Sequence, residues 1–274
     1  MLLGALVTIS SIQTGEGVLK QSFVRGSVEA GGLLPFFIGL RREQPKLNLP
    51  ILAWVIDHPE GVFIVDSGDW STTGPNPLTQ VSFRIRPDED FGPSLDLLGL
   101  GPEKPRTYLI THLHGDHVNG LNTSRASEVL LSEREYAFYR SPIGRFMTNM
   151  SCRVPATVSF KPLSFSKSPH PIFEMWAPLT SSGDVFAVPT PGHTVGHISV
   201  IAVINGVHYF LAGDLSYDQA ALLSQTVQGP SMAVRQHRDS LKRTLDYVKI
   251  RPTVYLPSHD PESRARLLAT QLAR

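Results

Sequence analysis

The sequence predicts an α+β protein in which β-sheets lie centrally and helices cover them. Three observations predict it. Short apolar runs recur in both halves of the chain, separated by Gly and Pro. Helical periodicity is confined to a few stretches that follow the groups of strands. Hydrophobic residues make up 41% of the 274 residues and charged residues 18%, enough apolar matter for a substantial core and too little charge for wholesale disorder. One domain spanning residues 1–274 is the expectation.

Taken in order, the elements are these. The apolar start from Met1 to Ile9 lacks a basic flank and reads as a first strand rather than a signal peptide. The runs 52–56 and 62–65 flank Asp57-His58-Pro59-Glu60-Gly61, a hairpin signal. Residues 68–105 are rich in Gly, Pro and Asp and read as a long loop with one helical turn at 95–98. Tyr108-Leu109-Ile110 reads as a short buried strand. A helix from Ser132 to Tyr139 opens on a Ser-x-x-Glu capping pattern, Ser132 to Glu135. Strands are expected at 185–188, 198–204 and 207–212, the last two joined by Asn205-Gly206, the strongest hairpin turn in the chain. From Ala233 to Val248, Val234, Leu241, Leu245 and Val248 share a helical face. A strand at 253–255 and a helix at 261–272, with Pro261 near its first turn, end the chain.

Composition narrows the function. The net charge is +1, from 25 basic and 24 acidic residues, so no nucleic-acid partner is indicated. No apolar run approaches the ~18 residues of a membrane span, so no membrane partner is expected. The single cysteine, Cys152, cannot form an internal disulfide, which points to a reducing, cytoplasmic compartment. A homodimer is compatible with all of this.

Chemistry is concentrated in Thr111-His112-Leu113-His114-Gly115-Asp116-His117, where three of the ten histidines fall within six residues. In an extended segment, positions i, i+2 and i+4 point the same way. His112, His114 and Asp116 would then face one point just past the strand at 108–110. Gly115 allows a turn, and a helix entered at Asp116 would carry His117 towards a neighbouring point. The spacing therefore suits two metal ions. Imidazole with carboxylate suits zinc, cobalt, manganese or iron, and nothing resembles an all-thiolate structural site. Further His and Asp residues stand at ends of apolar runs beside Gly or Pro: His193 after Pro191-Gly192, Asp214 after Gly213, and His259 after Pro257-Ser258.

The cluster resembles the His-x-His-x-Asp-His signature of the metallo-β-lactamase superfamily, and the Gly-His, Gly-Asp and late His elements follow in that family's order across 49–259. The resemblance implies an αβ/βα sandwich of two central mixed sheets with helices outside. It implies that His112, His114 and His193 bind one metal, that Asp116, His117 and His259 bind a second, and that Asp214 bridges them. Ile64-Val65-Asp66-Ser67-Gly68 resembles the family's early strand–Asp–x–Gly element, whose Asp usually supports a metal ligand without touching the metal. His197 is not a ligand position in the family and is expected to be packed or hydrogen-bonded. His58, His170, His208 and His237 are expected in turns or at the surface.

Within the family, Tyr217, three residues after Asp214, is similar to the N-acyl-homoserine lactonases, as is the segment 49–56. The implied activity is opening of the lactone ring of N-acyl-homoserine lactones or related lactones by a metal-bridging hydroxide. Asp116 would pass a proton to the leaving alkoxide, and Tyr217 would hold the developing oxyanion. The implied cofactor is two divalent metal ions, zinc first, and the implied partner is a small lactone or ester. A glyoxalase II-like thioesterase or an organophosphate or arylester hydrolase on the same dinuclear site is the alternative. Redox relatives carry Glu where His114 stands, so a di-iron reductase fits less well. Phe36, Phe37, Phe83, Phe146, Met147 and Met150 lie in Pro/Gly-flanked segments and are candidates to line an acyl-chain cleft.

Overall fold

Two mixed β-sheets face each other in the computed structural model, which describes residues 7–25, 46–70, 72, 74, 75, 80–101, 104–229 and 231–273. The chain runs β1 (Thr8–Lys20), α1 (Gln21–Arg25), β2 (Lys46–His58), β3 (Gly61–Val65), β4 (Ser82–Arg84), α2 (Phe91–Asp96), β5 (Arg106–Leu109), α3 (Gly115–Val118), β6 (Glu128–Ser132), α4 (Glu133–Arg140) and α5 (Pro142–Ser151). It continues with β7 (Ser159–Leu163), β8 (Ser166–Lys167), β9 (Met175–Pro178), β10 (Val185–Pro189), β11 (Ile198–Ile204), β12 (Val207–Gly213), α6 (Gln219–Ser224), α7 (Val234–Ile250), β13 (Thr253–Pro257) and α8 (Ser263–Ala269). The first sheet has the order β4-β1-β2-β3-β5-β6-β7 and the second β13-β12-β11-β10-β9-β8.

Strand alternation builds the layers. On β2, Leu52, Trp54 and Ile56 point between the sheets, where they meet Val185, Ala187, Val200, Leu211 and Leu256. Ala53 and Val55 point the other way, into a layer with Phe91 and Leu95 of α2. On the outer face of the second sheet, Phe186, Ile201 and Phe210 pack on Leu241, Tyr247 and Val248 of α7. The result is the expected αβ/βα sandwich. Among the described residues no helix is long and apolar enough to cross a membrane.

Topology gathers the candidate ligands. β10 and β12 each pair antiparallel with β11, so they run the same way, and β13 runs parallel to β12. In the first sheet β5 runs parallel to β3. The segments holding Asp66, His112, His193, Asp214 and His259 therefore all follow the carboxyl ends of strands. Two bonds tie the sheets together there: Leu52 N–H donates to the Ser258 carbonyl at 3.0 Å, and Ile198 N–H to the Thr111 carbonyl at 3.1 Å.

Several elements differ from the sequence expectation. The first strand begins at Thr8 and extends to Lys20, much longer than expected, and Met1 to Leu6 lie outside the described residues. The long loop contains β4, on the edge of β1, and α2, which starts at Phe91 rather than Leu95. Phe91 and Leu95, one helical turn apart, are both buried, and this packing sets the start. Gly92 is required there, because a Cβ would meet the Thr123 carbonyl oxygen at 1.7 Å. α5 was not expected. Ser141 caps it and Pro142 starts it, but its apolar side chains face outwards.

Candidate metal centre

The strand ends assemble seven metal-capable side chains in two groups, His112, His114, His193 and Asp214, and Asp116, His117 and His259. After β5 the chain stays extended at His114 (φ −109°, ψ 155°) and then turns into α3 at Gly115. That turn sends His117 to the second group and carries Asp116 with it, so Asp116 does not share a point with His112 and His114 as an extended segment would require: the strand geometry ends at Gly115. Gly115 has no room for a side chain, since a Cβ would meet the Ser151 carbonyl oxygen of α5 at 2.4 Å.

In the first group His112 Nε2 and His193 Nε2 lie 2.9 and 3.0 Å from His114 Nδ1. Asp214 is shared. Its Oδ2 lies 3.4 Å from His193 Nε2 and 4.0 Å from His112 Nε2, while its Oδ1 lies 3.2 Å from His117 Nε2 and 3.3 Å from His259 Nε2. Asp116 Oδ2 is 3.3 Å from His259 Nε2. Ligands about 2.05 Å from a tetrahedral zinc ion stand roughly 3.3 Å apart, so most of these separations match the edges of such a polyhedron.

A second observation supports the fit. His117 Nε2, His259 Nε2 and Asp214 Oδ1 are buried without a hydrogen-bond partner. Buried polar atoms are normally paired, and three such atoms, with both nitrogens within 3.3 Å of the Asp214 oxygen, offer a place that a cation fits. Electrostatics agrees. Burial pushes His112, His193 and His114 down, so their imidazoles stay neutral and free to ligate. Burial also opposes charge on His259 and His117. There the carboxylates of Asp214, with Asp116 for His259 and Asp66 for His117, outweigh it, lifting His259 to about 10 and His117 well above its ordinary value. The second group thus draws positive charge into a buried position.

The other ring nitrogens are also held. His117 Nδ1 lies 2.8 Å from Asp66 Oδ2, and the Asp66 carboxylate also accepts from the Thr111 N–H (2.7 Å) and hydroxyl (2.9 Å). Asp66 adopts φ +64°, a left-handed conformation that costs a non-glycine residue energy and clusters at functional sites. His259 Nδ1 lies 2.8 Å from the Pro50 carbonyl oxygen, and His112 Nδ1 lies 3.1 Å from Thr111 Oγ1. His197 is buried beside the first group, its ring 5.1 Å from that of His112, but is not part of the metal-capable cluster. Its Nε2 accepts from the Asp214 N–H at 3.0 Å, and its Nδ1 lies 2.9 Å from Thr190 Oγ1, as the packed reading expected.

Tyr217 is buried, with its ring 5.4 Å from that of His259 and 6.4 Å from that of Phe23. Burial, with Asp214 and Asp116 adding to it, pushes its phenol well above the usual range, so the hydroxyl keeps its proton. The acyl-cleft candidates are not brought together in one cluster. Phe36 and Phe37 lie outside the described residues. Phe83 is half-buried on β4. Phe146, Met147 and Met150 form, with Ile143, an exposed stripe on α5.

Three histidines correct the surface expectation. His58 is buried against Asp184 at 3.2 Å, His208 Nδ1 lies 2.7 Å from the Tyr247 hydroxyl, and His237 Nε2 lies 2.7 Å from the Leu215 carbonyl oxygen. His170 is half-buried and stacks on Phe186 at 4.6 Å. Each takes an inward position that its polarity disguises in sequence. Gln228 also escaped notice. Its buried Nε2 lies 2.9 Å from His193 Nδ1 and 2.5 Å from the Asp214 carbonyl oxygen. No local pattern marked it. Its partners lie 35 and 14 residues away.

Known proteins align with this picture. The chain is 29% identical over 110 residues to the uncharacterized protein YobT of Bacillus subtilis (strain 168), a match spanning 39% of this chain and 44% of that relative's length. Its fold is similar to an N-acyl homoserine lactone hydrolase solved with N-hexanoyl-L-homoserine at its catalytic metal center (TM-score 0.70, 19% identity, 94% of each chain covered). It is also similar to a probable metal-dependent hydrolase from Staphylococcus aureus (TM-score 0.64, 18% identity, 95% of this chain and 91% of the other). A third similar structure is the dizinc quorum-quenching lactonase AidC in complex with a product (TM-score 0.60, 16% identity, 95% and 90% covered). The sequence itself matches the family model described as the metallo-beta-lactamase superfamily over residues 48–259, from within β2 to the last candidate ligand. On that match, which spans both sheets, the chain belongs to the metallo-β-lactamase superfamily.

Proposed function

We propose that this chain is a hydrolase dependent on two divalent metal ions, zinc first, and that it opens the lactone ring of N-acyl-homoserine lactones or related lactones. The observation that carries the metal reading is the division of the Asp214 carboxylate, one oxygen turned to each group of imidazoles. His112, His114, His193 and Asp214 would hold one ion, and Asp116, His117, His259 and Asp214 the other. Metal ions bound there supply a Lewis acid and a water acidic enough to be a nucleophile at neutral pH.

The chain's own groups do the rest. Asp116 is the most exposed carboxylate of the cluster, at 18%, and as a carboxylate it is suited to take the proton of the attacking water and pass it on to the departing alkoxide. Tyr217 supports the lactone reading, because a phenol that keeps its proton beside His259 can donate to the carbonyl oxygen as charge builds there. Such a bond is stronger in the transition state than in the ground state and so raises kcat. Tyr217→Phe removes only the donor. Metal ions held in the site would carry most of the oxyanion charge, so kcat on lactones is expected to fall about tenfold, less than the ~10²–10³ typical of a lone oxyanion donor. Metal content should not change. An unchanged kcat across a lactone series would reduce Tyr217 to its packing on Phe23.

The exposed stripe Phe146, Met147 and Met150 on α5, whose last turn abuts Gly115, is the acyl-chain surface in this reading. The value of kcat/KM is then expected to rise with acyl length, by up to ~0.8 kcal/mol per methylene buried. A flat profile from short to long chains would remove the acyl surface and leave the lactone chemistry standing. The decisive assay is one metal-loaded preparation tested on acyl-homoserine lactones, aliphatic lactones, thioesters, phosphotriesters and β-lactams. A kcat/KM highest on thioesters or phosphotriesters would overturn the lactone assignment.

A further inference from the structure

The Ser132-x-x-Glu135 pattern at the start of α4 reads in sequence as a capping box, in which the glutamate returns to the backbone of its own cap. The structure keeps half of that box. Ser132 Oγ accepts the Glu135 N–H at 3.1 Å. The Glu135 carboxylate goes elsewhere. Its Oε1 accepts the Leu113 N–H at 3.0 Å, and its Oε2 accepts the Thr194 hydroxyl and the Gly196 N–H, both at 2.9 Å. Leu113 lies between His112 and His114, and Thr194 follows His193. One buried carboxylate therefore joins the loop after β5 in the first sheet to the loop after β10 in the second. Those two loops supply all three histidines of the first group.

The junction is built closely. Ser132 Oγ donates to the Gly196 carbonyl at 2.5 Å while capping the helix. A Cβ at Gly196 would meet Glu135 N at 2.1 Å, so the His193 loop lies directly on the first turn of α4. Glu135 itself is 2% exposed. Three donors converge on it, and only an ionised carboxylate offers acceptors alone to all three. Glutamine has nearly the same shape, but its NH2 must face at least one N–H or O–H donor.

We propose that Glu135 is a positioning residue for the metal centre: by clamping Leu113 to Thr194 and Gly196, it sets the spacing of His114 against His112 and His193. This rests on the metal reading of the site and not on the choice of substrate. The hydrogen bonds of the Glu135 carboxylate go to two backbone N–H groups and the Thr194 hydroxyl, none to a ligand side chain, so it acts through the two loops. Partners that orient metal ligands typically contribute 10–100-fold in metal affinity, and a clamp acting through the backbone belongs at the lower end, about tenfold.

The test uses the purified full chain, stripped of metal and titrated with zinc against a chromophoric chelator, with cobalt absorption as a second readout. The wild type is expected to bind two ions. Glu135→Gln is expected to bind one ion about tenfold more weakly and the other unchanged, with cobalt bands altered for one site. Thr194→Val, which removes one donor and no acceptor, should weaken the same ion by a smaller factor. It carries the test alone if Glu135→Gln does not fold. Glu133→Gln, exposed on the same turn, should match the wild type. Two tight ions in both Glu135→Gln and Thr194→Val would overturn the inference, even if the metal-free melting temperature fell, because that pattern marks a purely structural clamp. A wild type that takes up no zinc would overturn the metal reading beneath it, a result separable from the first.

Discussion

Asp214→Ala is expected to lose metal and activity together. Asp214 turns one carboxylate oxygen to each histidine group, and it is 2% exposed at the end of β12. Burial alone would raise its pKa. His259 and His117 outweigh burial and hold the carboxyl well below the usual carboxylate range, so it is ionised at any working pH. Alanine deletes the carboxylate turned to both groups and leaves their five imidazoles without it. Metal Lewis-acid stabilisation is worth several kcal/mol, and about 4 kcal/mol corresponds to roughly 10³ in rate. The expected result is fewer than one metal ion per chain against two in the wild type, with kcat/KM down by at least ~10³. Elemental analysis and kinetics on the same sample check it, with circular dichroism to establish folding. A folded variant that kept two ions would remove the bridging role. One that kept none yet stayed active would remove metal catalysis altogether.

The candidate metal site was legible because its side chains are marked twice. They cluster by residue type, and they stand at the ends of apolar runs beside Gly or Pro, where a strand must stop. Short apolar runs bounded by Gly and Pro placed the central strands, as in 198–204, where all residues but Ser199 are apolar, but they did not mark β4 or β6 to β9. The failures have a common physical cause. α5 reverses the usual rule: Gly144 and Thr148 face inwards and Ile143, Phe146, Met147 and Met150 outwards, so its apolar positions do not mark a core. His208 and His237 occupy inward positions because distant partners satisfy their polar nitrogens. Glu135 and Gln228 act on residues 22 to 61 and 14 to 35 positions away, and no local window contains such a pair. Asp66 was readable by family resemblance alone, since an Asp after a strand is otherwise an ordinary turn residue.

Asp66→Asn is expected to separate the two metal groups. Asparagine keeps the size of the side chain and, better than most residues, tolerates the φ of +64° found at this position. Its carbonyl can go on accepting the Thr111 N–H that Asp66 Oδ1 now accepts at 2.7 Å. Its NH2 then takes the place of Oδ2 and faces His117 Nδ1 at about the present 2.8 Å. To ligate through Nε2, His117 must carry its proton on Nδ1, which sets donor against donor. The alternative tautomer relieves that conflict but points a proton into the second group, where Asp116, His259 and Asp214 converge. Either outcome weakens the second ion, by about 10–100-fold on the usual scale for such partners. The first group should bind as before, because its links to Asp66 run through Thr111: the N–H bond is kept by the new carbonyl, and the hydroxyl can rotate to accept from the new amide. Zinc titration should therefore show one tight and one weakened ion, and activity lost at low zinc should return in part as zinc is raised. If both ions bind Asp66→Asn as tightly as the wild type, the Asp66–His117 contact only fastens β3 to α3. If both weaken equally, Asp66 acts on the whole loop after β5 rather than on His117.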